Sequence, residues 1–281
     1  MLDIIKVIIL GIIEGITEWL PISSTGHMIL AEQFLRLNVS EEYWNMFLVV
    51  IQLGAILAVV LLYFPRLWPF TKKNEKETGI FQYINRPKYV MWLHILVSCL
   101  PAIVIGLPLD DWLDAHFYNP VTVAVMLILY GAAFLVVEKR NRRKKSRIRS
   151  IRQIDWETAL FIGLFQCLAL IPGTSRSGAT ILGGILLGMS RKTASEYTFF
   201  LAVPVMLGAS LLKLVKFGPA FSAFEFFLLL IGMAVAFLVS IFAIRFLMKY
   251  IKTHDFKAFG IYRIALGVIV LICFAAGVFA D

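Results

Sequence analysis

Of 281 residues, 60% are hydrophobic, 16% are charged and 23 are Phe, with a mean hydropathy of +0.83; this composition excludes a soluble globule and marks an integral membrane protein. The formal charge of +9 does not point to nucleic acid, because the positive residues concentrate in loops between apolar runs, as the positive-inside rule predicts. Cys99, Cys167 and Cys273 are scattered through apolar segments without a C-x-x-C pair, which argues against a disulfide framework or a zinc site.

The first apolar segment, about residues 4–36, is broken by Pro21-Ile22-Ser23-Ser24, so neither half reaches the roughly 20 residues a spanning helix needs. It reads as a re-entrant helical hairpin rather than a signal peptide, since Asp3, Glu14 and Glu18 interrupt it and no small-residue cleavage site follows. Glu14 and Glu18, four residues apart on one helix face, are a buried acidic pair that calls for a shared proton, a cation or a divalent metal, and Mg²⁺ or Ca²⁺ suits carboxylate oxygens. After the break come Ser23-Ser24-Thr25-Gly26-His27. Ser23 can cap the second helix, and Ser24 and His27, three residues apart, form a minimal hydroxyl–imidazole pair for nucleophilic catalysis.

Three spanning helices are then expected near 45–64, 89–107 and 119–138. The loop over 65–88 is basic, Asp110, Asp111 and Asp114 make the next loop acidic, and residues 139–152 hold nine Lys or Arg. The basic loops belong on the cytoplasmic side, the acidic one and both termini outside. The 139–152 run reads as a solvated cytoplasmic loop touching anionic headgroups.

A second broken segment, about 156–189, is interrupted at Pro172-Gly173-Thr174-Ser175 and followed by Arg176-Ser177-Gly178-Ala179-Thr180. An arginine at membrane depth marks a functional site. At the start of an interrupted helix, among hydroxyls and free backbone N–H groups, it suits a phosphate. Spans near 194–214, 222–246 and 258–280 complete the chain. His94 reads as a core histidine and His116 and His254 as loop residues, while Tyr262 and Arg263 are expected to snorkel or to pair with Glu196 or Glu225.

The two broken segments match each other at an offset of 152: Gly11, Glu14, Ser23, Thr25 and Gly26 fall on Gly163, Gln166, Ser175, Ser177 and Gly178, and Leu53-Gly54-Ala55 resembles Leu207-Gly208-Ala209 at 154. The expectation is a single all-α membrane domain over 1–281, six transmembrane helices plus two re-entrant hairpins, with residues 1–145 and 146–281 forming an inverted-topology repeat.

The strings Glu14-Gly15-Ile16-Thr17-Glu18-Trp19-Leu20-Pro21-Ile22-Ser23-Ser24-Thr25-Gly26-His27 and Pro172-Gly173-Thr174-Ser175-Arg176-Ser177-Gly178-Ala179-Thr180 closely resemble the two signature motifs of the bacterial undecaprenyl-diphosphate phosphatase family, also called bacitracin-resistance proteins. The resemblance covers the whole chain and implies hydrolysis of undecaprenyl diphosphate to undecaprenyl phosphate and phosphate, recycling the lipid carrier of cell-wall synthesis. The expected location is the bacterial cell membrane, and with the first hairpin entering from outside by the loop charges, the active site is expected to open to the outer side. By the resemblance, Glu14 and Glu18 look like the acidic pair that holds Mg²⁺ or Ca²⁺, and Ser24 and His27, with Glu18, like catalytic groups. Arg176 looks like the phosphate-binding arginine, with Ser175 and Thr180 as supporting hydroxyls; Ser177, Ser23 and Thr25 are further candidates for binding the substrate. Ser24, His27 and water all stay open as nucleophile, and a homodimer stays open as well. The rival class is a polyprenyl-phosphate transporter or flippase, since broken helices in inverted repeat also build transporters.

Overall fold

The structure, a computed structural model, describes residues 2–71, 82–142, 144–218 and 221–279; Lys72, Lys73, Lys76 and Arg143 of the loop-charge argument lie outside them. The described residues are helical, without a strand. In chain order the α-helices are α1 (Leu2–Thr17), α2 (Ser24–Leu35), α3 (Glu41–Val50), α4 (Gln52–Leu67), α5 (Arg86–Phe117), α6 (Pro120–Asn141), α7 (Trp156–Cys167), α8 (Arg176–Leu186), α9 (Arg191–Phe217), α10 (Ala223–Tyr250) and α11 (Lys257–Ala275). Six stretches among them are long and apolar enough to cross a membrane: α3 and α4 together over Glu41–Leu67, Arg86–Leu109 of α5, and α6, α9, α10 and α11. Each expected span falls on one of these stretches, the last overrunning α11, which ends at Ala275.

Local sequence sets the helix starts. Asn119 accepts a hydrogen bond from the Thr122 N–H at 2.9 Å ahead of Pro120, Ser190 caps Thr193 at 3.1 Å, and Ser222 and Glu225 exchange bonds as a capping box. The acidic loop takes a different form: Asp110, Asp111 and Asp114 belong to the last turns of α5, which runs as a helix to Phe117. A helix can outrun its apolar stretch where its end is hydrated, so the charges mark the edge of the span and not the end of the helix.

The broken segments form two helical hairpins, α1 on α2 and α7 on α8. At roughly 24 Å for α1 and 18 Å or less for the others, each helix falls short of the hydrocarbon core. The first helix of each hairpin lies along the middle span of the other half, α1 on α10 and α7 on α5, while α4 packs on α9 and α6 on α11. Glycines allow these approaches. A Cβ on Gly11 would meet the Gly232 carbonyl at 3.0 Å, and one on Gly163, its counterpart in sequence, would meet the Ser98 carbonyl at 2.6 Å. Gly131 and Gly260 bring α6 and α11 together, each one's absent Cβ falling 2.7–2.8 Å from the other's carbonyl. The weaker match of Gly54 with Gly208 has no common packing: a Cβ on Gly54 would lie 2.0 Å from the Met233 carbonyl oxygen, and one on Gly208 would meet nothing within 4 Å.

Polarity is arranged for lipid. Val104, Val215, Phe242 and Ile272 are exposed, whereas Glu14, Glu18, Glu138 and Arg263 are buried. Apolar groups facing hydrocarbon cost nothing, so the charges mark where the interior is built for something other than packing.

The Gly54 contact gives a clean comparison. Gly54→Ala forces α4 off the α10 backbone and should lower stability by about 1–3 kcal/mol, read as a drop in thermal midpoint in detergent. Gly208→Ala should leave the midpoint unchanged or slightly raised; equal midpoints for the two variants would count against the close α4–α10 crossing.

Candidate active site

Both hairpins turn in the same way. Pro21 cannot donate to a continuing helix and constrains the residue before it, and Gly173 takes φ of 90° in the other turn. The residues that start the second helices, Ser23 and Ser175, hold φ of 75° and 69°, the two non-glycine residues with positive φ among the described residues. Each serine hydroxyl accepts a hydrogen bond three residues on, from the Gly26 and Gly178 N–H groups, both at 3.2 Å. A non-glycine residue in the left-handed region costs of order 1–3 kcal/mol and is kept where the surroundings over-determine it.

This geometry places Ser24 and Arg176 at the same position, the first residue of α2 and of α8, and both reach one carboxylate. The Ser24 hydroxyl donates to Glu18 Oε2 at 2.9 Å and Arg176 Nη2 donates to Glu18 Oε1 at 2.8 Å. Arg176 Nη1 also donates to the Thr198 carbonyl at 3.2 Å. Two helix N-termini, each with unsatisfied N–H groups and a partial positive charge, therefore meet beside a fixed guanidinium. Glu14 lies one turn before Glu18, 1% exposed, and its Oε1 has no hydrogen-bond partner.

His27 sits one turn into α2. Its Nδ1 donates to the Ser23 carbonyl at 2.7 Å, and its Nε2 is 2.7 Å from the Tyr262 hydroxyl, which donates to it in that tautomer. Ser24 and His27 do share a stretch of helix, but the hydroxyl turns to Glu18 and not to the imidazole, because the chain before Pro21 folds back across the start of α2. Ser177 donates to the Leu20 carbonyl at 3.3 Å, and Thr180 pairs with Thr198 at 2.8 Å. These two hydroxyls tie α8 to its neighbours. Ser175 is half-buried and 3.1 Å from Ser177, and Thr25 is half-buried on α2.

Tyr262 and Arg263 are where the sequence reading goes wrong. Glu196 is taken by Arg66 through two bonds of 2.8 and 3.0 Å, and Glu225 caps α10. Arg263 is instead fully buried and holds both turns at once: Nη2 donates to the Gly173 and Thr174 carbonyls at 2.8 and 2.9 Å, Nη1 to the Pro21 carbonyl at 3.4 Å, and the guanidinium lies over Tyr130. A Cβ on Gly178 would stand 3.1 Å from Nη1, so glycine there leaves the guanidinium its room. Like Arg176, Arg263 is a charge inside an apolar span, the one sequence signal that marks it. His94 is buried against Trp156 as expected of a core histidine, His254 stacks on Tyr250 in a turn, and His116 lies on the last turn of α5 rather than in a loop.

No group of three or more His, Cys, Asp or Glu able to hold a metal occurs among the described residues. The acids at this site are the pair Glu14 and Glu18, of which Glu18 is occupied by Arg176 and Ser24 while Glu14 keeps a buried, unpartnered oxygen.

Six apolar spans around a buried cluster of carboxylates, hydroxyls, an imidazole and two arginines define a multi-pass membrane protein with a polar site inside it. The family model of the bacitracin resistance protein BacA matches residues 7–269. The chain is 55% identical to an undecaprenyl-diphosphatase of Enterococcus faecalis over 96% of this chain and 97% of that one. Its identity to the undecaprenyl-diphosphatase of Acetivibrio thermocellus is 57%, over 98% and 99%, and to undecaprenyl-diphosphatase 1 of Clostridium acetobutylicum 58%, over 97% and 98%. The chain belongs to the BacA family.

The tie made by Arg263 can be tested apart from chemistry. Lysine keeps the charge but cannot reach three carbonyls on two turns, so Arg263→Lys should lower the thermal midpoint in detergent by the equivalent of roughly 1–3 kcal/mol, the cost of leaving buried acceptors unmet. An unchanged midpoint would mean that the turns hold together without it.

Proposed function

We propose that the meeting point of the two hairpins hydrolyses undecaprenyl diphosphate to undecaprenyl phosphate and inorganic phosphate, the reaction that returns the lipid carrier to cell-wall synthesis and confers resistance to bacitracin. The observation that carries this reading is the carboxylate of Glu18 held between Arg176 and Ser24 at the N-termini of α2 and α8. Phosphoryl transfer needs positioning and charge stabilisation more than any special covalent chemistry, and these parts supply both.

In this reading the terminal phosphate of the substrate lies against the Arg176 guanidinium and the free N–H groups of the two helix starts, with Ser23, Thr25, Ser175, Ser177 and Thr180 shaping the turns around it. Ser24 Oγ attacks the terminal phosphorus, its proton passes to Glu18, and the bond to the bridging oxygen breaks to release undecaprenyl phosphate. Water then cleaves the phosphoserine to release phosphate. Because the Ser24 hydroxyl is bonded to Glu18, this reading takes Glu18 and not His27 as the base next to Ser24; His27, held between the Ser23 carbonyl and Tyr262, fixes the first turn of α2 and offers Nε2 for proton exchange during the second step. The unpartnered oxygen of Glu14 fits a divalent cation, Mg²⁺ or Ca²⁺, held by Glu14 and Glu18 together with substrate oxygens, where it would neutralise phosphate charge.

The fold supports a second part of the reading. The packing of α1 on α10 and of α7 on α5 is the exchange of contacts expected of two halves in an inverted-topology repeat over 1–145 and 146–281 with both hairpins re-entrant. The basic loops then face the cytoplasm, the first hairpin enters from outside, and the site opens to the outer side of the bacterial cell membrane. Labelling tests this orientation: Arg149→Cys should react with an impermeant maleimide only from the cytoplasmic side and Ala115→Cys only from outside, and reaction of both from one side would sink the topology.

The reaction is tested by phosphate release from a short-chain prenyl diphosphate by the detergent-solubilised protein, where transport has no meaning. Activity should vanish with chelator and return with Mg²⁺ or Ca²⁺. Ser24→Ala should abolish turnover, and Arg176→Lys should lower it by on the order of a hundredfold, with kcat falling more than KM rises, because the planar fork acts on charge that develops in the transition state. Full turnover by a well-folded Arg176→Lys protein, or full activity in excess chelator, would remove the clamp or the cation from the mechanism.

A further inference from the structure

The end of the molecule that carries the basic loops holds a cavity of about 700 Å³ at the opposite end of α8 from Arg176, formed where the segment after α6, the α8–α9 turn and the end of α10 converge. Its lining includes Lys144, Lys145, Arg147, Arg191, Lys192 and Lys252 against a single carboxylate, Glu138. That carboxylate is already committed: it is 1% exposed, bonded to Arg191 through both oxygens, and accepts the Phe256 N–H at 3.2 Å. The remaining cations have no second carboxylate in the lining.

The backbone that carries Arg147 is held in place. The Arg147 and Ile148 N–H groups bond the Gly188 carbonyl at 2.9 and 3.1 Å, and the Ser190 N–H returns a bond to the Ile148 carbonyl at 2.8 Å, so the basic segment is laced to the α8–α9 turn and is not a free loop. α9, 27 residues long and capped by Ser190, begins at the cavity wall, adding the positive end of its dipole. Like charges gathered around a concave surface repel, and a multivalent anion relieves that repulsion. Leu186, 46% exposed, forms an apolar margin beside them, the combination met by a lipid phosphate with a chain descending from it.

We propose that this cavity is a second anion site, separate from the hairpin site, which takes a phosphate-bearing anion, with the headgroup of an anionic membrane lipid as its source. None of its lining residues is assigned to hydrolysis, and the site stands apart from that assignment. Binding is measured on the full chain in detergent by native mass spectrometry, titrating phosphatidylglycerol, phosphatidylcholine of the same acyl chains, and inorganic phosphate. Wild-type protein should prefer phosphatidylglycerol, and Lys144→Gln/Lys192→Gln should weaken that binding by roughly tenfold or more. Lys139→Gln/Arg140→Gln, which removes the same charge just outside the cavity, should change it by less than about threefold, since diffuse surface attraction is all it alters. Inorganic phosphate that displaces the lipid and shows the same dependence on Lys144 and Lys192 would assign the site to free phosphate. Equal loss in both double variants, or no preference between the two lipids, would overturn the proposal. Phosphate release from a short-chain prenyl diphosphate should be unchanged in both variants and serves as the check on folding.

Discussion

A carboxylate buried among apolar helices is stable only if it is paired and hydrogen-bonded, and Glu18 meets that condition with partners from two separate helix starts. Its position therefore dictates where both hairpins end: α2 must begin within reach of one oxygen and α8 within reach of the other. The serines at φ of 75° and 69° follow from this, since each chain must reverse sharply enough to aim its first helical residue at the same carboxylate. Arg263 serves the same end from behind, bonding the carbonyls that the two reversals leave without helical partners.

The rest of the fold lets this polar centre exist in lipid. Because hydrocarbon outside the protein is as apolar as leucine, helices here gain little from hiding apolar surface and associate through close packing instead. The glycines of α1, α4, α6, α7 and α11 supply that packing by letting backbones touch.

Much of this was legible in the chain. Six apolar runs and two interruptions gave the helices, because length against bilayer thickness is a strong constraint. Arg176, Glu14 and Glu18 stood out because charge in an apolar run has few explanations. What could not be read was direction. Ser24 and His27 are three apart and share a stretch of helix, but the spacing cannot say that the preceding turn folds Glu18 over Ser24. Arg263 and Tyr262 lie about 240 residues from the first hairpin, and no local pattern discloses such a partner. The helical end of α5 is hidden for a different reason: acidic residues suggest a loop, although charge marks only the boundary of the apolar stretch.

The paired glycines of α6 and α11 have a mechanical consequence. Backbone meets backbone at Gly131 and Gly260, and again where a Cβ on Gly267 would stand 2.8 Å from the Ala124 carbonyl, two levels separated by roughly 10 Å along the helices. Two rods in backbone contact at two heights resist pivoting on one another, so α11 stands as a post against α6. Tyr262 and Arg263 ride on that post, which makes it the reference against which the imidazole and both turns are set. Any parting of helices around the hairpins is therefore easier along another seam, where it would leave the groups at the two turns aligned.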